Sequence, residues 1–297
     1  MTTSTTSASI STGAVVRAAR PRQWVKNLLV LAAPTLGGRI GDVDVLVAAC
    51  IAFVAFCLAA SGIYFINDVR DIAEDRAHPT KRFRAIAAGE VSTRLAVGIG
   101  VSLLLLGLAI SLAANWQLFA VIATYEAVSI TYCLALKDEP VLDIAIIASG
   151  FLLRAVAGGA AAGIDLSQWF LLAASFGSLF MAAGKRYSEV LMVETGNTST
   201  RRSLSGYSAS YLRFVWSVAA AILIMTYGLW AFEIREVAGT PWAAISIAPF
   251  VLAVLRYAVD VDAGRAGAPE EIALSDRVLQ ALAVVWLTLV AIAVYLD

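Results

Sequence analysis

The sequence predicts an all-α polytopic membrane protein, and three observations carry that prediction. Of 297 residues, 60% are hydrophobic and the mean hydropathy is +0.80, which excludes an ordinary soluble domain. Apolar stretches long enough to cross about 30 Å of hydrocarbon recur from end to end. An open sheet cannot satisfy its backbone in lipid, so the spanning elements must be helices. Nine spans are read, at 25–38, 43–66, 93–113, 116–136, 141–162, 167–184, 211–233, 241–258 and 277–296. The chain thus divides into a disordered N-terminal tail, 1–16, and a single nine-helix membrane domain, 17–297.

Taken in order, residues 1–13 are rich in Ser and Thr and lack an apolar core, which reads as a tail and not a signal peptide. The first span follows Arg22 and Lys26, an i,i+4 basic pair, and is broken by Pro34. The second runs without interruption into the polar sequence at 67–75. Short connections at 113–116 and 163–168 join the third to the fourth span and the fifth to the sixth. Before the fifth span stands Lys137-Asp138-Glu139-Pro140-Val141-Leu142-Asp143, where Pro140 suits a first helical turn. Gly158, Gly159 and Gly163, beside a run of alanines, read as close helix packing and not as a phosphate loop. The sixth span ends on Lys185-Arg186, the eighth is interrupted by Pro249, and the ninth closes the chain. Small-residue faces are compatible with a homo-oligomer without fixing its size.

Formal net charge is zero, but its distribution is one-sided. With nine spans, Arg17, Arg20, Arg22, Lys26, the cluster from Arg70 to Arg94, Lys137, Lys185, Arg186, Arg201, Arg202, Arg213, Arg256, Arg265 and Arg277 fall on one side, and Arg39 and Arg235 on the other. Positive charge marks the cytoplasm. A multi-pass protein of the inner (plasma) membrane is expected, with the N-terminus inside and Asp297 outside. The long polar loops 67–92, 185–210 and 259–276 then face the cytoplasm, and function should concentrate there. Cys50, Cys57 and Cys133 are odd in number and lie within apolar spans, so neither a disulfide framework nor a thiolate metal site is expected. The lone His78, before Pro79, reads as a loop residue without a catalytic task. No nucleic-acid partner is expected.

An ionisable side chain beside the bilayer is expensive and usually functional. At 100° per residue, Tyr64, Asn67, Asp68, Asp71 and Asp75 share one helical face at the end of the second span. Asp68, Asp71 and Asp75 can approach one ion, with the amide oxygen of Asn67 as a further ligand. Hard oxygen donors in this pattern suit Mg²⁺, with Mn²⁺ as an alternative, and Mg²⁺ commonly brings phosphates. The competing reading is a solvated helix end paired with Arg70 and Arg76. Like carboxylates at i,i+3 and i,i+4 repel unless something cationic sits between them. In the second acidic segment Glu139 and Asp143 are one turn apart. Metal or substrate contact and simple capping of a helix N-terminus both remain open there.

Basic residues ring these segments. Arg22, Lys26, Lys81, Arg82, Arg84, Lys137, Lys185 and Arg186 form this ring and can converge on a polyanion, since guanidinium forks and lysine point charges are the usual partners of phosphate. Some of the positive flank, notably Arg201, Arg202 and Arg213, reads equally as attraction to anionic lipid. Two ions lie within spans, Glu126 and Arg154. Either they pair across neighbouring helices, or Arg154 reaches a lipid phosphate in a cavity.

These residues resemble the intramembrane prenyltransferase superfamily of nine-helix proteins, the UbiA superfamily. Its first aspartate motif, N-D-x-x-D-x-x-x-D, is matched in full by Asn67, Asp68, Asp71 and Asp75. Its second, commonly D-x-x-x-D, is represented by Glu139 and Asp143, a departure at the first position. The run from Arg20 to Asn27, with Gly150–Gly159 and Gly184–Glu189, is similar to the decaprenyl-phosphate phosphoribosyltransferase branch. The resemblance implies helices around a cavity open to the cytoplasm and laterally to lipid. It implies Mg²⁺, phosphoribosyl diphosphate as donor, polyprenyl (decaprenyl) phosphate as acceptor, and a product feeding arabinan and arabinogalactan of the cell wall. On this reading Asp68, Asp71 and Asp75 are catalytic. Arg22, Lys26, Tyr64, Asn67, Lys81, Arg82, Lys137, Arg154, Lys185 and Arg186 bind substrate. Prenyl transfer from a prenyl diphosphate to an aromatic or other small acceptor is the alternative chemistry of the same fold.

Overall fold

A computed structural model describes residues 11–194, 204, 206–267 and 269–296. Among them every regular element is helical. Arg201 and Arg202 lie outside the described residues.

The chain enters through α1, Thr12–Ala19, which begins inside the stretch read as a tail. Ala14 and Ala18, one turn apart, bury a small face against Phe65 and Ile86, and Arg17 pairs with Glu90. Arg20 then takes a left-handed backbone conformation, φ 54°, ψ 59°. A 3₁₀ stretch, Pro21–Leu31, and α2, Ala32–Leu36, occupy the first predicted span, which is therefore divided and not a single α-helix.

The centre of the bundle is α3, Val43–Arg70, a 28-residue helix apolar on all sides and in contact with α1 and the 3₁₀ stretch. Short α4, Ile72–Ala77, and a 3₁₀ turn, Lys81–Phe83, lead to α5, Thr93–Ser111. Helices α3 and α5 meet through glycines: a methyl group on Gly62 would lie 2.8 Å from the Gly100 carbonyl oxygen. After the short connection, α6 runs Trp116–Thr131 and ends in a π-helical turn, Tyr132–Leu136. Helix α7, Leu142–Ala162, packs so closely on the 3₁₀ stretch that a methyl group on Gly158 would sit 1.8 Å from the Val30 carbonyl oxygen. Close packing is thus the role of that glycine.

Helices α8, Gln168–Glu194, and α9, Ala209–Ala238, form the second half with α10, Trp242–Ile245, and α11, Ile247–Asp262. Helix α12, Pro269–Ser275, and α13, Arg277–Tyr295, complete the chain. Among the described residues, seven segments are long and apolar enough to cross a membrane: α3, α5, α6 with its π turn, α7, α9, α10–α11 and α13. They correspond to the second to fifth and the seventh to ninth predicted spans. The sixth, 167–184, falls within α8, whose 27 residues are long enough at 1.5 Å each but more polar.

Tyr295 Oη donates to the Thr35 carbonyl oxygen at 2.7 Å, so the end of α13 meets the end of α2. Arg20, Asp68 and Asp71 lie at the opposite end of the bundle, called here the aspartate end. By alternation the last turns of α8 and α11 and the first turns of α7, α9 and α13 lie at that same end.

Candidate active site

Asp68, Asp71 and Asp75 are 2%, 7% and 3% exposed, an unusual burial for three carboxylates on one face. Helix α3 ends at Asp71, but the bonds Asp71 N to Asn67 O, 2.9 Å, and Asp75 N to Asp71 O, 2.8 Å, carry the helical path into α4. The shared face predicted from spacing therefore survives the joint. Asn67 Nδ2 donates to Asp71 Oδ2 at 3.2 Å.

Three cations converge on this column. Arg20 Nη2 donates to Asp68 Oδ1 at 2.5 Å, with its guanidinium 4.7 Å above the Tyr64 ring. Arg84 Nη1 bridges Asp68 Oδ1, 3.2 Å, and Asp75 Oδ2, 2.7 Å. Lys137 Nζ reaches Asp71 Oδ1 at 2.7 Å from the end of the π turn. The left-handed Arg20 is aimed by its neighbours. Ser61 Oγ donates to Ala19 O at 2.9 Å and accepts from Trp24 Nε1 at 3.1 Å, tying the opening segment to α3. A left-handed non-glycine residue is uncommon and often marks a functional position.

Of the predicted residues, the structure brings Tyr64, Asn67, Asp68, Asp71, Asp75 and Lys137 together. Arg22 and Arg82 are exposed, the latter stacked on Phe83. Lys26 Nζ donates to Gln23 Oε1 at 2.6 Å. Lys81 is half-buried beside His78, whose Nδ1 accepts from Thr80 N and Lys81 N at 3.2 and 3.3 Å. The sequence places Arg84 in the basic ring without assigning it to the site, and Arg20 is not singled out as a site residue. Their neighbours in the same basic runs were equally good candidates, and only the left-handed turn and the 3₁₀ turn decide which guanidinium points inward.

The second acidic segment is built differently. Asp138 and Glu139 are exposed, while Asp143 is fully buried. Arg186 Nε and Nη2 donate to Asp143 Oδ2 and Oδ1 at 2.5 and 2.6 Å. Tyr132 Oη donates to Asp143 Oδ1 at 2.7 Å, and Arg186 Nη1 pairs with Glu189. This clasp joins the π turn, α7 and α8. Val141, just before α7, holds φ 69°, strained for a β-branched residue, and its N–H donates to Tyr207 Oη at 2.7 Å. Burial pushes the Tyr207 phenol above its ordinary pKa.

Arg154 does not pair with Glu126. Its Nε donates to Asn27 Oδ1 at 2.7 Å, and its Nη groups to Gly150 O, 2.5 Å, and Tyr125 Oη, 3.2 Å. Glu126 follows Tyr125 and so points about 100° away around α6. A methyl group on Gly107 of α5 would lie 3.6 Å from its Oε1, which has no hydrogen-bond partner among the described residues.

Between α7, α8, α9, α11 and α13 lies an apolar chamber of about 430 Å³, walled by Phe151, Trp169, Phe180, Tyr227, Phe250 and Trp286 among others. Met181 lines it, and half-buried Lys185 stands one turn further toward the aspartate end.

Among the described residues no three His, Cys, Asp or Glu side chains are grouped tightly enough to hold a metal ion. The donor chemistry of the column nevertheless fits a hard divalent cation: three buried carboxylates and an amide oxygen on one face. In this structure Arg20, Arg84 and Lys137 face the same oxygens, the place where a divalent ion would supply positive charge.

The model of the UbiA prenyltransferase family matches residues 28–275. A decaprenyl-phosphate phosphoribosyltransferase of Mycobacterium tuberculosis is 52% identical over 288 residues, covering 94% of each chain. One from Corynebacterium glutamicum is 51% identical over 288 residues, 95% of this chain and 87% of that one. Among solved structures, a UbiA homolog from Archaeoglobus fulgidus bound to GPP and Mg²⁺ superposes with a TM-score of 0.70 at 19% identity, covering 94% of this chain and 98% of that one.

Proposed function

The chain belongs to the UbiA prenyltransferase family, and from that premise we propose that it transfers 5-phosphoribose from phosphoribosyl diphosphate to decaprenyl phosphate. The relatives more than half identical over nearly the whole chain carry that activity in their names. One observation in the structure carries the reading: a buried aspartate column faced by cations stands at one end of a bundle that holds an open apolar chamber. A polyphosphate and a lipid tail can be held by one molecule in this way. The protein is an integral membrane enzyme. Its charge distribution supports a plasma-membrane topology with the aspartate end in the cytoplasm and the C-terminus outside.

In this reading Asn67, Asp68, Asp71 and Asp75 would hold Mg²⁺ or Mn²⁺; the Archaeoglobus neighbour was solved with Mg²⁺ bound. A bound ion would neutralise the donor's diphosphate and make it a better leaving group. Lys137 and Arg84, already on the column, together with Lys81 and Arg20, turn to the diphosphate. Arg22, Lys26 and Arg82, at the rim, attract the donor's 5-phosphate. Lys185 holds the acceptor phosphate while the prenyl tail enters the chamber beside Met181 and continues into lipid. Arg154 and Arg186 act as positioning residues through Asn27 and Asp143.

A lipid phosphate oxygen attacks the anomeric carbon as its bond to the diphosphate oxygen breaks, with inversion and an oxocarbenium-like transition state. A phosphate monoester is largely ionised near neutral pH, its second pKa being about 6, so no general base is required. That agrees with a chain whose one histidine is tied into a loop turn. Catalysis is positioning and electrostatics.

The test supplies purified protein with labelled phosphoribosyl diphosphate, decaprenyl phosphate and Mg²⁺, with and without EDTA. A parallel arm offers a prenyl diphosphate and an aromatic acceptor. Ribosylated lipid that vanishes with EDTA is expected; product only in the parallel arm would establish the alternative chemistry.

A further inference from the structure

We propose that an arginine pocket between the aspartate-end tips of α11 and α13 binds the phosphodiester headgroup of an anionic membrane lipid. The pocket, about 420 Å³, is lined by Arg256, Asp260, Arg265, Ser275, Asp276 and Arg277, and shares none of these residues with the aspartate column or the chamber.

Its carboxylates are arranged to hold arginines by one edge. Arg256 Nε donates to Asp276 Oδ2 at 2.7 Å, while Asp276 Oδ1 caps α13 by accepting from Val278 N and Leu279 N at 2.9 and 3.1 Å. Arg265 Nε and Nη2 donate to Asp260 Oδ1 at 2.8 and 2.5 Å. Among the described residues, both Nη groups of Arg256 and Nη1 of Arg265 meet no acceptor. Arg277 makes no ion pair among the described residues. Among the residues that line the pocket, three guanidiniums face two carboxylates.

The pocket's surroundings favour an amphipathic ligand over a soluble one. Leu255 and Val259 on α11, Leu274 on α12 and Val278 on α13, sequence neighbours of lining residues, are 53%, 53%, 67% and 54% exposed. A step of one residue turns them about 100° from the pocket, so they face the lipid beside it, where the acyl chains of a bound headgroup would lie. Basic pockets between helix ends are where anionic headgroups bind. Helix α12 separates the pocket from the chamber: Ile272 and Ser275 line the first, Pro269 and Ala273 the second. A headgroup bridging α11 and α13 therefore also fixes the helix that closes one wall of the prenyl chamber.

The full chain is reconstituted in phosphatidylcholine nanodiscs with or without phosphatidylglycerol, and retained lipid and melting temperature are measured. Wild type is expected to retain phosphatidylglycerol preferentially and to melt higher with it. Arg256→Gln/Arg277→Gln should bind it about 30-fold more weakly, at roughly fivefold per arginine near the surface. Arg277→Gln alone breaks no ion pair among the described residues and should show about fivefold, which keeps the test intact should the double variant fold poorly. Equal retention by wild type and Arg277→Gln would overturn the proposal. So would full stabilisation by inorganic phosphate alone, which would make the ligand a free anion.

Discussion

Replacing Arg186 by Met tests whether this buried arginine is a structural clasp or a ligand of the lipid phosphate. Of its five N–H donors, Nε and Nη2 serve Asp143, Nη2 also serves Tyr132 Oη at 3.0 Å, and Nη1 serves Glu189. One N–H remains, too few for a two-pronged grip on phosphate. Arg186→Met leaves Asp143, fully buried, with only the Tyr132 hydroxyl. Breaking one side of a buried ion pair costs about 3–5 kcal/mol. Substituting both partners by apolar side chains of similar volume is often nearly neutral, so Asp143→Leu/Arg186→Met should recover most of the loss. Stability would be read from unfolding in mixed micelles as the denaturing detergent fraction rises. An Arg186→Met protein within about 1 kcal/mol of wild type, but with a much raised KM for polyprenyl phosphate, would refute the clasp and make Arg186 a substrate ligand.

Other substitutions probe the packing, the column and the pocket. Gly158→Ala drives a methyl group toward the Val30 carbonyl and should destabilise by about 3 kcal/mol or more, whereas Gly228→Ala, which meets nothing, should be neutral in the same unfolding assay. Asp71→Ala should lower kcat by at least about 10²-fold, the scale for losing one preorganised electrostatic group, while the protein still inserts and purifies; a near-normal rate would remove Asp71 from the site. Asp276 is held below the ordinary carboxylate pKa by the Leu279 N–H and then by Arg256. Its stabilisation should be complete above about pH 4 and fall as pH drops through the lower folded value. Asp276→Asn should flatten that acid limb of a melting-temperature profile.

The aspartate column was legible because its spacing repeats every helical turn, and the bonds across Asp71 preserve that register. Lys137 was legible because it adjoins the second acidic segment, although the π turn that delivers it was not. Arg20 depends on a left-handed backbone that arginine seldom adopts, and Arg84 on a turn of three residues. Neither conformation leaves a periodic trace in sequence. Pairing of Glu126 with Arg154 looked natural because both are charges inside spans, but adjacency of Glu126 to Tyr125 turns it toward α5. The division of the first span follows from Pro34 and from the backbone contact at Gly158, a long-range constraint that composition does not encode. Likewise the polarity of α8 belongs to a helix that carries the Arg186 clasp.

Presentation of phosphoribosyl diphosphate by the aspartate column to direct attack by a lipid phosphate is tested most directly by the anomeric configuration of the ribosylated lipid. It is read by NMR on product made by the purified protein from phosphoribosyl diphosphate and decaprenyl phosphate. Direct attack predicts a lipid product with configuration opposite to the donor's. Retained configuration, or no ribosylated lipid at all, would contradict it.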